Sequence, residues 1–311
     1  MLTNNFQYYH SYLDLPGDDM LWLLYHEGRT TISELLNSID MEKFNNIFLI
    51  DQEINLEHMP NNKIHIWQPV VNNNPRSHTF LWWFQTVKEL HEKCNLTDRL
   101  VSHNAKTPEF KFDMLLGTPR EHKDFVFDQI TTFNIIDDFI IGCYKANNDR
   151  TEDRGNWVSG GDYEHGIGAK FGNELIAPEV SQCILPYDIY NNSWYTVVCE
   201  TSYDHCFFTE KTAKPILGKR LFVLIGAKHM IKNLQSLGYK TFSDIIDESY
   251  DEVDDNEIRW GMACHQIEEL YARDPIEVYS HIQDVLEHNY QLITQTDWWD
   301  KVKYDIEGIK R

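Results

Sequence analysis

The sequence predicts an α/β protein built on buried parallel strands, and three observations carry that prediction. Residues 194–227, WYTVVCETSYDHCFFTEKTAKPILGKRLFVLIGA, read as strand, loop, short helix and strand, with β-branched and aromatic runs at 195–198 and 221–225. A second apolar run at 112–116 passes through Gly-Thr-Pro-Arg into a helical pattern. A third, at 20–25, leads into helical spacing at 31–39. Strands joined by helical crossovers pair in parallel, and the loops at their carboxyl ends are where such folds bind anions.

Taken in order, MLWLLY at 20–25 is a strand that runs into His26, Glu27 and Gly28. Residues 46–50, with Asp51 and Glu53 behind them, and 63–67, stopped by Pro69, are two further short strands. TFLWWFQTVKELHEKC at 79–94 places apolar residues at helical intervals. These elements make an N-terminal α/β domain over 1–105. A second domain, 106–290, opens with the strand at 112–116 and a helix that Pro119 can start, then a strand at 135–144. The stretch 147–173 is polar and glycine-rich, which fits a surface loop or an active-site lid. No strand runs straight into a G-x-G-x-x-G turn there, so the dinucleotide fingerprint is absent. Helices are expected at 213–217, 256–272, 275–290 and 297–309, with the terminal segment 291–311 packing on the N-terminal domain.

Composition narrows the chemistry. A length of 311 residues accommodates two domains, 42% hydrophobic residues supply their cores, and 13% aromatic residues suit either ordinary packing or ring stacking on a ligand. The formal charge of −21 opposes a broad nucleic-acid or anionic membrane surface, although a local basic cleft is compatible with it. Cys94, Cys143, Cys183, Cys199, Cys206 and Cys264 form no C-x-x-C pair, which points to free thiols in a reducing compartment. Residues 1–10 lack a basic segment leading into an apolar one, and no window of about 18 apolar residues occurs, so a soluble cytoplasmic protein with no membrane partner is expected.

Two clusters bear on function. Thr209 is an N-cap candidate that places Glu210 and Lys211 at a helix start, where a carboxylate can accept from a ribose diol and an ammonium can face a phosphate. The same pair also serves as plain capping. Arg120, His122 and Lys123 come after the strand 112–116 and fall at the mouth of the same crevice if the domain is doubly wound, or simply aid solubility. No Asp-x-Asp, Walker loop, G-x-S-x-G or H-E-x-x-H occurs. Without Asp-x-Asp to share a divalent ion beneath a pyrophosphate, the cations would carry the leaving-group charge.

The run CFFTEKTAKPILGKRLFVLIGA resembles the C-terminal signature of the family 10 glycosyltransferases, the α-1,3-fucosyltransferase-like group. GYKTFSDIIDESYDE resembles the segment C-terminal to that signature in bacterial and bacteriophage members, and FDMLLGTPREHK is similar to the family's Asn-Arg-x-Pro-Arg-x-His-Arg turn. The likeness covers roughly residues 110–260. It implies a GT-B fold, two Rossmann-like domains facing across a cleft, in which Glu210 binds the donor ribose, Lys211 and Arg120 the phosphates, and Glu200 lies near the sugar or base. Gly117-Thr118 stands where the family often has Asn-Arg, and Lys123 where it often has Arg.

The resemblance implies an inverting, metal-independent glycosyltransferase, with no cofactor beyond a nucleotide-diphosphate sugar as co-substrate, GDP-fucose-like in the family. Its acceptor is a glycan, a small molecule or modified DNA. A base on the acceptor side takes the hydroxyl proton. Glu27 is the first choice for it, with Asp51 and Glu53 behind. Two alternatives accompany this expectation: a bacteriophage-type transferase acting on hydroxymethylated DNA bases through a groove near Lys63, Arg76, Lys88 and Lys93, and a non-catalytic sugar-nucleotide or glycan-binding module.

Overall fold

The structure is a computed structural model of the chain. It describes residues 20–24, 46–50, 64–69, 75–93, 107–117, 119–143, 156–159, 170–171, 174–175 and 182–309. In chain order come strands β1 (Met20–Leu24), β2 (Asn46–Ile50), β3 (Ile64–Gln68) and β4 (Ser77–Thr79), helix α1 (Trp82–Lys93), β5 (Phe110–Leu115), α2 (Glu121–Thr132), β6 (Phe139–Cys143), β7 (Asn156–Ser159), β8 (Lys170–Phe171) and β9 (Glu174–Leu175). After them come α3 (Tyr187–Asn192), β10 (Ser193–Cys199), α4 (Glu210–Leu217), β11 (Phe222–Ile225), α5 (Met230–Ser236), α6 (Asn256–Tyr271), α7 (Pro275–His281), α8 (Gln283–Gln295) and α9 (Trp298–Ile309). The protein is thus an α/β fold with parallel sheets, and it divides into two compact units, one of Met1–Trp82 with Asp297–Arg311 and one of Trp83–Thr296.

The second unit holds a parallel sheet in the order β11-β10-β5-β6-β7. From β5 the chain steps outward through β6 to β7, then resumes on the other side with β10 and β11. By order of appearance within this sheet it is 3-2-1-4-5 read from the β7 edge, a doubly wound order whose direction reverses between β5 and β10. All seven residues of β10 are buried, as a central strand covered on both faces requires, which explains its nearly continuous apolar run. Phe112 stacks on Phe139 with centroids 4.7 Å apart, and Tyr195 on Tyr279 at 6.0 Å.

Asp113 breaks the apolar pattern of β5 and is fully buried. Its Oδ2 accepts from Arg220 at 2.7 Å, from Ser193 at 2.7 Å and from Thr196 at 3.0 Å. Arg220, 2% exposed, also donates to the carbonyls of Tyr190 and Ser193, at 2.7 and 3.0 Å, and lies 4.3 Å over the Tyr190 ring. This network closes the end of the sheet at which β10 and β11 begin, opposite the end that carries the candidate ligand groups.

Three expectations are corrected by the structure. The polar stretch at 147–173 contains β7, which pairs in parallel with β6, and β8, which pairs antiparallel with β9. The expected helix at 275–290 is two helices, broken at Ile282 with φ −107° and ψ 7°; α7 opens with Asp274 accepting from the Ile276 N–H at 2.8 Å and Pro275 in its first turn. Helix α1, expected in the N-terminal domain, belongs from Trp83 onward to the second unit, where Phe84 meets Phe208 and Tyr239 at 6.3 and 5.7 Å and Lys88 donates to the Thr296 carbonyl at 3.0 Å.

The first unit holds a parallel sheet in the order β1-β2-β3-β4. Trp67 of β3 is fully buried, stacks on His78 of β4 at 4.5 Å and donates its indole N–H to Asp305 of α9 at 3.2 Å. Phe80 meets Trp299 at 4.6 Å, and Val302 and Ile306 continue the buried stripe of that helix at a four-residue spacing. No helix among the described residues is long and apolar enough to cross a membrane.

Candidate functional site

The reversal between β5 and β10 is where an open doubly wound sheet leaves a crevice outside its strand ends. The segments leaving those two strands carry the residues that the sequence singles out. From β5 the chain passes Gly117, at φ +62°, a region open to glycine and asparagine and to few other residues. Arg120 then occupies the extended position before α2 and is exposed, while His122 and Lys123 in the first turn are buried.

From β10 the chain reaches Glu200, which is fully buried. Its carboxylate accepts from the Thr209 N–H at 3.0 Å, the Thr209 hydroxyl at 2.6 Å, the Thr212 hydroxyl at 2.5 Å and the Thr201 N–H at 3.2 Å. Its carbonyl accepts from His122 Nε2 at 2.7 Å. Thr209 caps α4, its oxygen accepting from the Lys211 N–H at 3.3 Å. The Lys211 ammonium, with an 18% exposed side chain, donates to Glu210 at 2.9 Å and to the Thr201 hydroxyl at 3.2 Å. Gly226, just past β11, lies against the next helix: a Cβ there would collide with Met230 Sδ and meet the Ser202 carbonyl at 3.2 Å.

Burial shifts the titration of the enclosed groups of the site. Burial drives the His122 pKa down to about 4, with Lys123, Arg120 and Lys211 adding to the shift against the Glu200 carbonyl, so the ring is neutral and Nε2 carries its proton. Its Nδ1 is buried with no partner among the described residues. Burial, then Lys211, brings Lys123 down to about 8, and its ammonium donates to the Leu116 carbonyl. Burial opposes the Lys211 charge, but Glu210 and Glu200 outweigh it and hold this pKa above the ordinary lysine value. Burial likewise opposes Glu210 ionisation, and Lys211 and Lys214 outweigh it. Burial pushes the Cys199 thiol up to about 12 and the Cys183 thiol well above its usual value, so neither is an activated nucleophile.

Arg120, His122, Lys123, Glu200, Thr209, Glu210 and Lys211 are thus brought to one end of one sheet. Of these cations Arg120 is exposed, the Lys211 side chain is 18% exposed, and Lys123 is buried. Glu200, expected near the sugar or base, has its carboxylate enclosed and bonded to protein donors. Glu27, Asp51 and Glu53 lie outside the described residues. Sequence reasoning missed Thr201, Thr212 and Tyr203, whose hydroxyl donates to Glu121 at 3.0 Å. The repeat of threonine at 209 and 212, one helical turn apart, is the signal that could have found Thr212. Among the described residues no group of three His, Cys, Asp or Glu is placed to hold a metal ion. Neither family models, nor curated proteins, nor solved structures match this chain.

Proposed function

We propose that the protein is an inverting glycosyltransferase of GT-B type that binds a nucleotide-diphosphate sugar at the β5–β10 reversal. The observation that carries this reading is the arrangement there: Arg120 and Lys211 stand at the starts of α2 and α4, with the Glu210 carboxylate held ionised beside Lys211. Two cations at these two helix starts would suit the two phosphates of such a donor, and α4 would add the positive end of its dipole. Glu210, its side chain 6% exposed and its Oε1 bonded to Lys211, would offer its remaining lone pairs to a ribose diol. During transfer the same cations stabilise the charge that develops on the departing diphosphate, which is electrostatic catalysis by preorganised groups. Glu27, Asp51 and Glu53 remain the residues to test as the base that deprotonates the acceptor hydroxyl.

The binding test compares nucleoside with nucleoside diphosphate. Lys211→Ala removes a charge-assisted contact worth about 1.5–3 kcal/mol, so diphosphate affinity falls roughly 10- to 100-fold while nucleoside affinity is nearly unchanged. Calorimetric titration with GDP, UDP, guanosine and uridine measures both, and equal losses for the two ligand types would remove Lys211 from the phosphates.

A further inference from the structure

We infer that Glu200 is the positioning residue of this site, a buried pin that holds the starts of α2 and α4 in fixed relation so that Arg120 and Lys211 address a single anion. The inference rests on the donor-site reading above. Its basis is the way one side chain and one carbonyl bind two separate helix starts. The carboxylate holds α4 through Thr209 and Thr212, and the carbonyl holds α2 through His122. The Thr201 N–H adds a bond at the root of the intervening loop, and the Thr201 hydroxyl in turn receives the Lys211 ammonium. Glu200 therefore sets Lys211 twice, once through the helix that carries it and once through the hydroxyl it donates to.

The environment makes the pin rigid. Glu200 is 0% exposed, and four donors occupy its two oxygens, close to the full capacity of a carboxylate. His122 is a reliable partner because burial keeps it neutral, with its proton on the nitrogen that faces the Glu200 carbonyl. A group placed this way touches no ligand. It acts by fixing the separation of two cations, and a bound diphosphate is sensitive to that separation.

The test is a double-mutant comparison with pyrophosphate and GDP as probes, affinities by calorimetry and unfolding midpoints measured alongside. In the wild type, Lys211→Ala lowers affinity at least about tenfold. In a Glu200→Gln background, where the pin is loosened and Lys211 is no longer aimed, the same substitution costs less than about threefold. A purely structural role would lower the unfolding midpoint and leave the Lys211 factor intact, so an undiminished factor overturns the inference while the donor-site reading stands. Thr212→Val removes one hydrogen bond of the pin and no charge; it carries the same comparison if Glu200→Gln does not fold, with the Lys211 factor again expected to shrink and an unchanged factor again overturning the inference. If pyrophosphate, GDP and UDP all fail to bind the wild type, the donor-site reading falls and this inference falls with it.

Discussion

Lys123 gives the site a pH signature that belongs to one side chain. Its pKa of about 8 leaves it partly deprotonated in mildly alkaline solution, and an anion bound above it favours the charged form. Nucleoside-diphosphate binding at pH 8 is therefore accompanied by uptake of up to about half a proton, and uptake vanishes at pH 6, where Lys123 is already charged. Titrations in buffers of different ionisation enthalpy measure the proton count, and Lys123→Met abolishes the pH 8 uptake. Release of protons instead would place the ligand elsewhere. At this scale the sequence shows Thr209, Glu210 and Lys211 well, because a cap and its first turn are local. It could not show what Glu200 does, since the donors that occupy it come from residues nine and twelve positions later and from His122, 78 positions earlier. The Glu200 carboxylate accepts its hydrogen bonds from the protein's own donors.

Elements were legible in proportion to how much of their stability comes from a repeating apolar pattern. Strand β10 stands out because both faces are covered, and α6 because its cap Asp255 and its length are both visible in the chain. Strand β7, four residues of NWVS within a polar stretch, has no periodicity to offer and forms by pairing with β6. Asp113 within β5 is unreadable in the same way: its partner Arg220 is 107 residues away. Breaking that pair strands a buried charge, so Arg220→Ala costs about 3–5 kcal/mol of stability in chemical denaturation, with the loss absent from a variant that replaces both groups by well-packed apolar residues. The packing of α9 on the first unit has a pH dependence of its own. His65 Nδ1 and His78 Nε2 are 3.2 Å apart, a contact that two protonated rings cannot make. Burial lowers the pKa of both rings; His78 and Arg76 lower His65 further, and Asp305 only partly counters the effect at His78. The unfolded rings bind protons near 6.5 while the folded ones resist them, so stability is full above that pH and declines as pH falls below it. Hydrogen exchange of 298–309 at pH 7.5 and 5.5 checks this, with faster exchange at the lower pH beyond the intrinsic chemical change and a smaller difference in His78→Asn.

For the molecule as a whole, the α/β class and the doubly wound second unit are readable from strand, crossover and strand patterns, whereas unit membership is not, because it depends on which distant segments bury each other's apolar stripes. The charge of −21 sets a global expectation as well. Of the four cations considered for a DNA groove, Lys88 is buried with its ammonium on the Thr296 carbonyl, and Lys63 lies outside the described residues. Retention of duplex DNA in low-salt electrophoresis is therefore not expected, and strong retention lost on neutralising Arg76 and Lys93 would revive a DNA acceptor. The most direct test of the central claim is release of nucleoside diphosphate from a panel of UDP-, GDP- and CDP-sugars without added acceptor. Slow hydrolysis of one donor class, lost in Lys211→Ala, is the predicted result; no hydrolysis of any donor, together with no thermal shift by any of them, would contradict it.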